Sequence, residues 1–401
     1  MSHSLELLAP AGDRERLNMA VAYGADAVYL AGNTFGMRAF AGNFDHDALK
    51  EAVSFCRQHG VAVHVTCNTL PRNEEVAKLP DYLSFLQEIG VTAIIVADVG
   101  VLSLAKRYAP KLQLHISTQA SIVNYEAARA WHDLGASRVI LARELSLEEI
   151  AEIRAKAPRT LELEAFAHGA MCVSYSGRCV ISNYMTGRDA NRGACAQPCR
   201  YEYVLMEEQR PGEYFPVVED ETGTYLFNSR DMCMIDHVKE LLDIGLDSIK
   251  LEGRAKSAYY TAIVTGAYRH AVDAAAAGVP LDPVWRSEVD KISHRPYSTG
   301  FYYGQPGQFT GHSRYMRDWQ VVAMVEHCTP DGLATLSLRN KFASGDQLEL
   351  VGPDVAPMPV VAGTLIDADG FSVPEIRKPK ARFTMRLPRQ VPPLSLLRRE
   401  S

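Results

Sequence analysis

The sequence predicts an α/β fold, a (β/α)8 barrel of the TIM type, followed by a small antiparallel β-barrel domain. The first supporting observation is a series of eight short, β-rich apolar runs that alternate with amphipathic helices. The runs occupy residues 5–9, 27–31, 61–67, 93–98, 112–117, 138–142, 161–166 and 248–252. Runs that are apolar on both faces and separated by helices indicate parallel strands covered on both sides. Eight such strands suit a closed barrel.

The second observation is a glycine at the end of each of several helical stretches. These glycines are Gly24, Gly60, Gly90, Gly135 and Gly245, and a predicted strand follows each within a few residues. Glycine just past the last turn is a common end of a helix. An open, doubly wound sheet is the alternative architecture. The first strand-to-helix turn, residues 9–12, lacks the Gly-x-Gly-x-x-Gly motif of dinucleotide-binding folds, which argues against a dinucleotide site.

The third observation is a change of pattern beyond the barrel, which we assign to residues 1–293. Residues 259–277 predict a helix, and residues 294–318, rich in Pro and Gly, predict a linker. Short alternating runs separated by turn residues then predict a small β-barrel domain over 319–390. Residues 391–401 are expected to form a basic tail that either contacts phosphate or is simply solvated.

Length and composition are those of a globular protein with room for one large core and a second domain. The chain has 401 residues, 47% of them hydrophobic and 22% charged, and a formal net charge of −6. Bulk charge therefore does not attract polyanions, and any contact with nucleic acid requires a local basic patch. The sequence shows neither a leader pattern nor an apolar run of membrane-spanning length, so we expect a cytoplasmic protein with no membrane partner.

One connection, residues 167–246 after the seventh run, is far longer than a normal strand-to-helix loop. It holds five of the eight cysteines, namely Cys172, Cys179, Cys195, Cys199 and Cys233. In a cytoplasmic protein such thiols indicate metal binding or catalysis, and soft thiolates select zinc or iron–sulfur clusters. Only Cys195 and Cys199 have the close spacing of zinc ligands, which favours a cluster over zinc. Cys56, Cys67 and Cys328 lie in predicted regular elements and are expected to be buried free thiols.

The same insertion carries a long motif that makes the sequence recognisable. Residues 164–182 read EAFAHGAMCVSYSGRCVIS, and this segment resembles the signature of the U32 peptidase family. Further segments that match the family are LAPAG at 8–12, GADAVY at 24–29, RELS at 143–146, GACAQPCR at 193–200, KLEGR at 250–254 and NKF at 340–342. The resemblance therefore extends over most of the chain.

Within this family the chain is most similar to the members that act on tRNA. The resemblance implies an enzyme, or an essential component of one, that hydroxylates the wobble uridine of tRNA to 5-hydroxyuridine. It also implies prephenate, a small carboxylate metabolite, as a co-substrate, and a 4Fe-4S cluster as the cofactor. The cluster ligands carried over to this sequence are Cys172, Cys179, Cys195 and Cys199. Cys233 departs from the family pattern and is either a spare thiol or an alternative fourth ligand.

Polar side chains at the ends of barrel strands are expected to point into one mouth. The predicted catalytic residues are His168, Arg143 and Glu164. The predicted substrate-binding residues are Arg38, His115, Lys250, Glu252 and Arg254. Arginine forks bind carboxylates in a bidentate manner, which makes Arg38, Arg143 and Arg254 the expected clamps for a dicarboxylate, with Lys250 as a point charge. For each cation, a salt bridge at the barrel rim is the alternative interpretation.

Two other functions fit the sequence. One is a collagenase-like U32 peptidase, and the other is a non-catalytic RNA-binding scaffold. The sequence contains no His-Glu-x-x-His and no Gly-x-Ser-x-Gly motif, so neither common protease pattern is present. A Cys–His dyad that uses His168 is the remaining route to peptidase chemistry.

Overall fold

A computed structural model describes residues 4–37, 42–171, 177, 179–200, 204–206, 214–216, 230–306 and 315–401. Two predicted site residues, Arg38 and Cys172, lie outside the described residues. No described helix is long and apolar enough to cross a membrane.

The helices and the strands of the barrel region alternate along the chain. In chain order the strands before residue 300 are β1 (Glu6–Pro10), β2 (Ala27–Leu30), β3 (Ala62–Cys67), β4 (Ala93–Val96), β5 (Gln113–Ile116), β6 (Arg138–Ile140), β7 (Glu162–Ala170), β8 (Val204–Met206), β9 (Tyr214–Pro216), β10 (Asp231–Cys233), β11 (Ser248–Leu251) and β12 (Tyr297–Ser298). The α-helices are α1 (Arg14–Ala22), α2 (His46–Gln58), α3 (Asn73–Val76), α4 (Leu79–Glu88), α5 (Val99–Tyr108), α6 (Tyr125–Asp133), α7 (Leu147–Lys156), α8 (Ile181–Thr186), α9 (Val238–Ile244), α10 (Ala258–Ala277) and α11 (Pro283–Glu288). Short 3-10 turns cover Thr118–Ala120, Ala190–Arg192, Pro198–Arg200 and Ile235–His237.

The barrel is closed, as the sequence predicts. Strands β1 to β7 pair in chain order and in parallel, and β11 closes the ring between β7 and β1. The side chains of β2 and β4 are buried along their whole length, because the barrel interior covers one face and helices cover the other. Gly24 ends the first helix with a φ of 94°, a left-handed conformation that glycine adopts without steric cost.

Strand β7 is longer than the predicted run, and its extra residues leave the barrel. Residues 168–170 pair antiparallel with β10, and β10 pairs in turn with β12. Cys233 is the last residue of β10, and α9 begins at Val238. The end of β7, β10 and β12 therefore form a small three-stranded ledge on one side of the barrel, beside α10.

A β-bulge in β7 decides which way its side chains point. Phe166 is the partner of Lys250, whereas His168 is the partner of the next residue, Leu251, so Ala167 is an extra residue in β7. The carbonyl of Ala167 turns outward and accepts hydrogen bonds from the amide of Met234 at 2.9 Å and from a tyrosine hydroxyl of α10 at 2.8 Å. Because one inserted residue reverses the alternation of a strand, the residues after the bulge face the other side.

The C-terminal region forms an antiparallel β domain, as predicted. Its strands are β13 (Trp319–Cys328), β14 (Leu333–Leu338), β15 (Phe342–Ala343), β16 (Gln347–Gly352), β17 (Val355–Val361), β18 (Leu365–Asp367), β19 (Ser372–Val373), β20 (Glu375–Ile376), β21 (Arg382–Arg386) and β22 (Leu396–Glu400). The main sheet has eight strands in the order β17-β16-β22-β13-β14-β21-β18-β19. The expected basic tail is wrong for residues 396–400, because β22 pairs with both β13 and β16 inside this sheet.

The two domains share a packed interface. Val351 and Leu396 of the β domain belong to the same apolar cluster as the barrel core. The hydroxyl of Tyr23 in the barrel donates to the carbonyl of Leu394 at 3.0 Å. The fully buried Arg398 bonds Glu288 of α11 at 2.6 Å, so both apolar and ionic contacts join the domains.

Candidate active site

A small cavity opens at the carboxyl ends of the barrel strands, the face where TIM barrels carry their active sites. Its volume is about 60 Å³. Residues from seven barrel strands or the loops that follow them line it: Tyr29, Met37, Thr66, Asn68, Ile95, Ser117, Thr118, Gln119, Ile140, Arg143, Phe166, Lys250, Glu252 and Arg254. Three predicted cations, Arg143, Lys250 and Arg254, therefore converge on one cavity, with Glu252 as the carboxylate of this lining.

Arg143 follows β6 and is held in a fixed orientation. Its guanidinium lies 3.9 Å from the centroid of the Phe166 ring, and its Nη1 donates to the carbonyl of Ala170 at 2.9 Å. The side chain is buried, and its Nε has no hydrogen-bond partner among the described residues. Stacking on an aromatic face preorganises an arginine fork, which suits it to receive a planar anion.

Arg254 and Lys250 come from the KLEGR segment at the end of β11. Arg254 is buried and donates to the hydroxyl of Thr66 at 3.1 Å. The loop after β1 packs closely against this segment: a Cβ on Gly12 would lie 2.1 Å from the backbone oxygen of Arg254. The Lys250 ammonium lies 4.4 Å from the centroid of the Tyr29 ring, a cation–π contact that faces it towards the cavity.

Lys250 also joins the cavity to a buried ionic layer below it. Its Nζ bonds Glu164 at 3.1 Å, and Glu164 bonds Arg138 at 3.0 Å. Arg138 contacts two further carboxylates, Glu6 at 2.5 Å and Glu162 at 2.8 Å. Burial raises the pKa of Glu164, but the charges of Lys250 and Arg138 outweigh burial and hold that pKa below its usual range. Glu164 is therefore ionised and fully paired.

His115, predicted to bind substrate, lies in this interior layer and not in the cavity lining. Its ring packs edge-on against His64, with centroids 4.7 Å apart. Burial, the neighbouring His64 and the two cations Arg138 and Lys250 keep the pKa of His115 well below its usual value. Glu164 likewise does not line the cavity. The structure places both predicted residues beneath the floor, where Glu164 bonds Lys250 and neither residue reaches the opening.

His168, predicted as a catalytic residue of the mouth, points away from it. The bulge at Ala167 turns the imidazole outward, where its ring centroid lies 5.4 Å from those of Tyr268 and Tyr297 and 5.9 Å from that of Tyr260. Burial among these rings lowers the pKa of His168 to about 3, so the imidazole is neutral. The expected position in the mouth is wrong for this residue.

Cys233 is the cross-strand partner of His168 and shares its environment. Its thiol is buried and lies 3.9 Å from the hydroxyl of Tyr268. Burial raises the pKa of Cys233 to about 11, which keeps the group a thiol at neutral pH. A buried, protonated thiol fits the prediction that Cys233 is a spare thiol better than the prediction that it is a metal ligand. Cys56, Cys67 and Cys328 are also buried and free, as predicted.

Part of the insertion after β7 lies above the barrel mouth. We call its described residues 177 and 179–200 the cysteine excursion. Its contact with the mouth is close, because a Cβ on Gly177 would lie 2.1 Å from the carbonyl oxygen of Gln119 in the cavity lining. Ser182 of α8 organises the excursion: its hydroxyl donates to the carbonyl of Arg188 at 2.7 Å and accepts from the amide of Ala196 at 2.9 Å. The excursion is thus a folded unit tied to the mouth.

Three of the predicted cluster ligands, Cys179, Cys195 and Cys199, are partly exposed. The amide of Gln197 donates to the Cys195 sulfur at 3.3 Å. In the part of the chain that the structure describes, no group of three or more His, Cys, Asp or Glu is arranged to hold a metal ion. Cys172, the fourth predicted ligand, lies outside the described residues.

Sequence reasoning missed several residues that shape the site. Arg138 and His64 of the ionic layer, and Tyr29 and Thr66 of the lining, were not predicted. The signal for them was present, since each is a polar side chain within a predicted apolar strand. Tyr29 also donates to the Glu252 carboxylate at 3.1 Å, which fixes the acid of the lining.

These features define a (β/α)8-barrel protein with a cation-lined mouth, a thiol-bearing excursion above it and a C-terminal β domain. The chain belongs to the peptidase family U32, whose model matches residues 12–311. The model of the peptidase family U32 C-terminal domain matches residues 317–398.

Relatives within the family carry different names. The tRNA hydroxylation protein P1 of Bacillus subtilis is 37% identical over 401 aligned residues, which cover 98% of this chain and 94% of the relative. The 23S rRNA 5-hydroxycytidine C2501 synthase of Escherichia coli is 40% identical over 273 residues, covering 68% of this chain and 40% of that protein. A protein of Porphyromonas gingivalis named collagenase is 30% identical, over 88% of this chain and 87% of its own length.

Proposed function

We propose that this chain takes part in the hydroxylation of tRNA, converting the wobble uridine to 5-hydroxyuridine. The observation that carries the proposal is the end-to-end similarity to the tRNA hydroxylation protein P1 of Bacillus subtilis, which includes both domains. The similarity to a protein named as a 23S rRNA hydroxycytidine synthase supports the same chemistry, since both names describe hydroxylation of RNA. The chain acts as the enzyme or as an essential component of it.

The cavity at the barrel mouth is the proposed site for a small carboxylate metabolite, with prephenate as the candidate. Arg143, Lys250 and Arg254 supply three positive charges, and the lining adds amide and hydroxyl donors. The volume of about 60 Å³ is far below the roughly 300–1,000 Å³ of typical ligand pockets. The cavity thus suits one anionic group of a metabolite and excludes a whole nucleotide.

We further propose that Cys172, Cys179, Cys195 and Cys199 hold a 4Fe-4S cluster, with zinc as the lesser alternative. The support is the donor set: the partly exposed thiols of Cys179, Cys195 and Cys199 lie on one excursion beside the mouth. A bound cluster would supply one-electron redox chemistry. The residues of the barrel bind and orient the carboxylate, and Glu164 of the ionic layer holds Lys250 in place by an ion pair.

The discriminating experiment is deletion of the gene, followed by mass spectrometry of tRNA nucleosides. We expect 5-hydroxyuridine and its derivatives to disappear and to return when the wild-type gene is supplied. A gene with Arg143→Gln or Arg254→Gln should fail to restore them, because each change removes one clamp of the anion site. An unchanged nucleoside profile in the deletion strain would exclude the proposed function.

The named collagenase relative makes peptidase activity the second candidate. A cysteine protease needs a thiolate beside a basic histidine. The Cys–His pair brought together in the described residues is Cys233 and His168, in which burial keeps the cysteine a thiol and the histidine neutral. Both groups lie on the outer side of the barrel wall, so this pair does not favour peptidase chemistry.

A further inference from the structure

A second, much larger cavity lies where the barrel rim meets the β domain. Its volume is about 650 Å³, within the roughly 300–1,000 Å³ of typical ligand sites. The barrel contributes the loop after β11 and the first turn of α10, and the β domain contributes the start of β13 and Asn340. The cysteine excursion contributes Gln197. Three parts of the molecule therefore meet around one space.

Cations and aromatic rings line this cavity together. Lys256 and Arg317 provide two positive charges, and Tyr315 and Trp319 provide ring surface. The Lys256 ammonium lies 3.8 Å from the centroid of the Tyr315 ring, and the Trp319 ring contacts Lys291 at 4.7 Å. These contacts hold both rings in place before any ligand arrives.

The remaining lining suits a nucleotide. The first turn of the 20-residue helix α10 faces the cavity, and the N-terminus of a long helix carries a partial positive charge that favours phosphate. Gln197, Gln320 and Asn340 bring amide groups that both donate and accept hydrogen bonds, as base edges require. Single-stranded RNA is bound by this combination of aromatic surface, positive charge and amides.

The two cavities are neighbours. Glu252 lines both of them, so this residue lies between the large cavity and the cation-lined mouth. Gly169 keeps this region tight, because a Cβ on it would lie 2.4 Å from the Glu252 backbone oxygen. Glu252 is thus the residue that separates a group held in the large cavity from the proposed carboxylate site.

We propose that the large cavity binds one nucleotide of a single-stranded RNA segment, with its base against Trp319 and its phosphate at Lys256 and Arg317. This inference rests on the proposed function and adds the position of its RNA substrate. The β domain would accordingly complete the RNA site, instead of acting as a separate binding module.

Tryptophan fluorescence tests this position directly. The chain has three tryptophans, and replacing Trp131 and Trp285 by phenylalanine leaves Trp319 as the reporter. Titration of this full-length double variant with a uridine-rich single-stranded RNA oligomer should quench the fluorescence, because a base would stack beside the indole. A collagen-derived peptide of similar length serves as the competing probe.

A pair of surface variants tests the charge contribution. Arg317 is exposed, and Arg317→Gln should weaken RNA binding several-fold and reduce the slope of log affinity against log salt by about 1. Arg107→Gln, at an exposed position of α5 away from the cavity, is the matched control and should bind like the wild type. Asn340→Ala, also exposed, should weaken binding without changing the salt slope.

The outcomes separate this inference from the proposed function. No quenching by RNA, equal affinities of the Arg317 and Arg107 variants, or quenching by the peptide alone would each overturn the nucleotide site, even if the deletion strain loses 5-hydroxyuridine. Quenching that depends on Arg317, together with an unchanged nucleoside profile, would leave the RNA site standing and reject the hydroxylation.

Discussion

Lys250 lies between two sets of charged residues in the barrel: a buried ionic layer below it and the proposed anion site above it. Below it, Glu164 and Arg138 form a buried layer in which each charge has a partner. Above it, Arg143 and Arg254 line an opening with Glu252 as the accompanying carboxylate. The lower layer is balanced by its own ion pairs, and the upper set brings two arginines and one carboxylate to the opening.

Cys179, Cys195 and Cys199 are partly exposed, whereas Cys233 is buried. We therefore expect substitutions of these residues to differ in their effect on bound iron. Anaerobically purified Cys179→Ser, Cys195→Ser and Cys199→Ser proteins should each lose most of their iron and sulfide. Cys233→Ala should keep both, because that thiol is buried against Tyr268 and stays protonated. Cys328→Ala, another buried thiol, is the matched control.

Iron and acid-labile sulfide assays check this prediction. A colourless wild-type protein with stoichiometric zinc would reject the cluster in favour of zinc. Loss of iron in the Cys233→Ala protein alone would instead make Cys233 a ligand.

At the level of elements, the bulge in β7 decides the role of His168. A regular strand would turn Glu164, Phe166 and His168 to the same face, because side chains alternate with a period of two. The extra residue, Ala167, sends His168 to the outer side, among the tyrosines of α10 and β12. His168 therefore packs the ledge against the barrel and does not reach the cavity.

Strand β22 carries the ionic contact between the domains. Arg398 is fully buried and bonds Glu288, Glu349 and the hydroxyl of Tyr259. We expect Arg398→Met to lower the free energy of unfolding by about 3–5 kcal/mol, because it leaves buried carboxylates without their main partner. Arg399→Met, next in the same strand and partly exposed, should cost no more than about 1 kcal/mol.

Urea unfolding of the two variants, followed by fluorescence and by circular dichroism, measures this difference. Equal midpoints for the Arg398 and Arg399 variants would show that the buried network does not stabilise the interface.

For the whole molecule, buried histidines predict a loss of stability in acid. Burial lowers the pKa of His64 to about 4 and that of His168 to about 3, from an ordinary value of 6.5. Between these values the unfolded chain binds more protons than the folded chain, so the free energy of unfolding falls as the pH drops below 6.5 towards 4. Each histidine contributes a loss on the order of a few kcal/mol.

Urea midpoints measured between about pH 7 and pH 4.5 test this slope. His168→Phe should flatten it, because phenylalanine fills the tyrosine cluster without taking up a proton. His59→Gln, at an exposed site after α2, should leave the slope unchanged. A wild-type protein with constant stability over this range would contradict the prediction.

Sequence patterns alone predict the barrel and the β domain, and they identify the family to which the chain belongs. These follow from local signals: apolar runs such as 93–98, glycine ends of helices such as Gly24, and a long motif read residue by residue. It also identified Arg143, Lys250 and Arg254 as neighbours, since the ends of parallel barrel strands meet at one face.

Contacts between distant residues determine which side of the barrel wall each polar residue faces. One extra residue in β7 removed His168 from the mouth, and the register of buried strands placed Glu164 and His115 under its floor. The basic segment 396–400 forms a central strand of the β domain, and its Arg398 bonds the carboxylates of Glu288 on α11 and Glu349 on β16. Such outcomes depend on contacts between residues far apart in the chain, and no local pattern in the sequence records them.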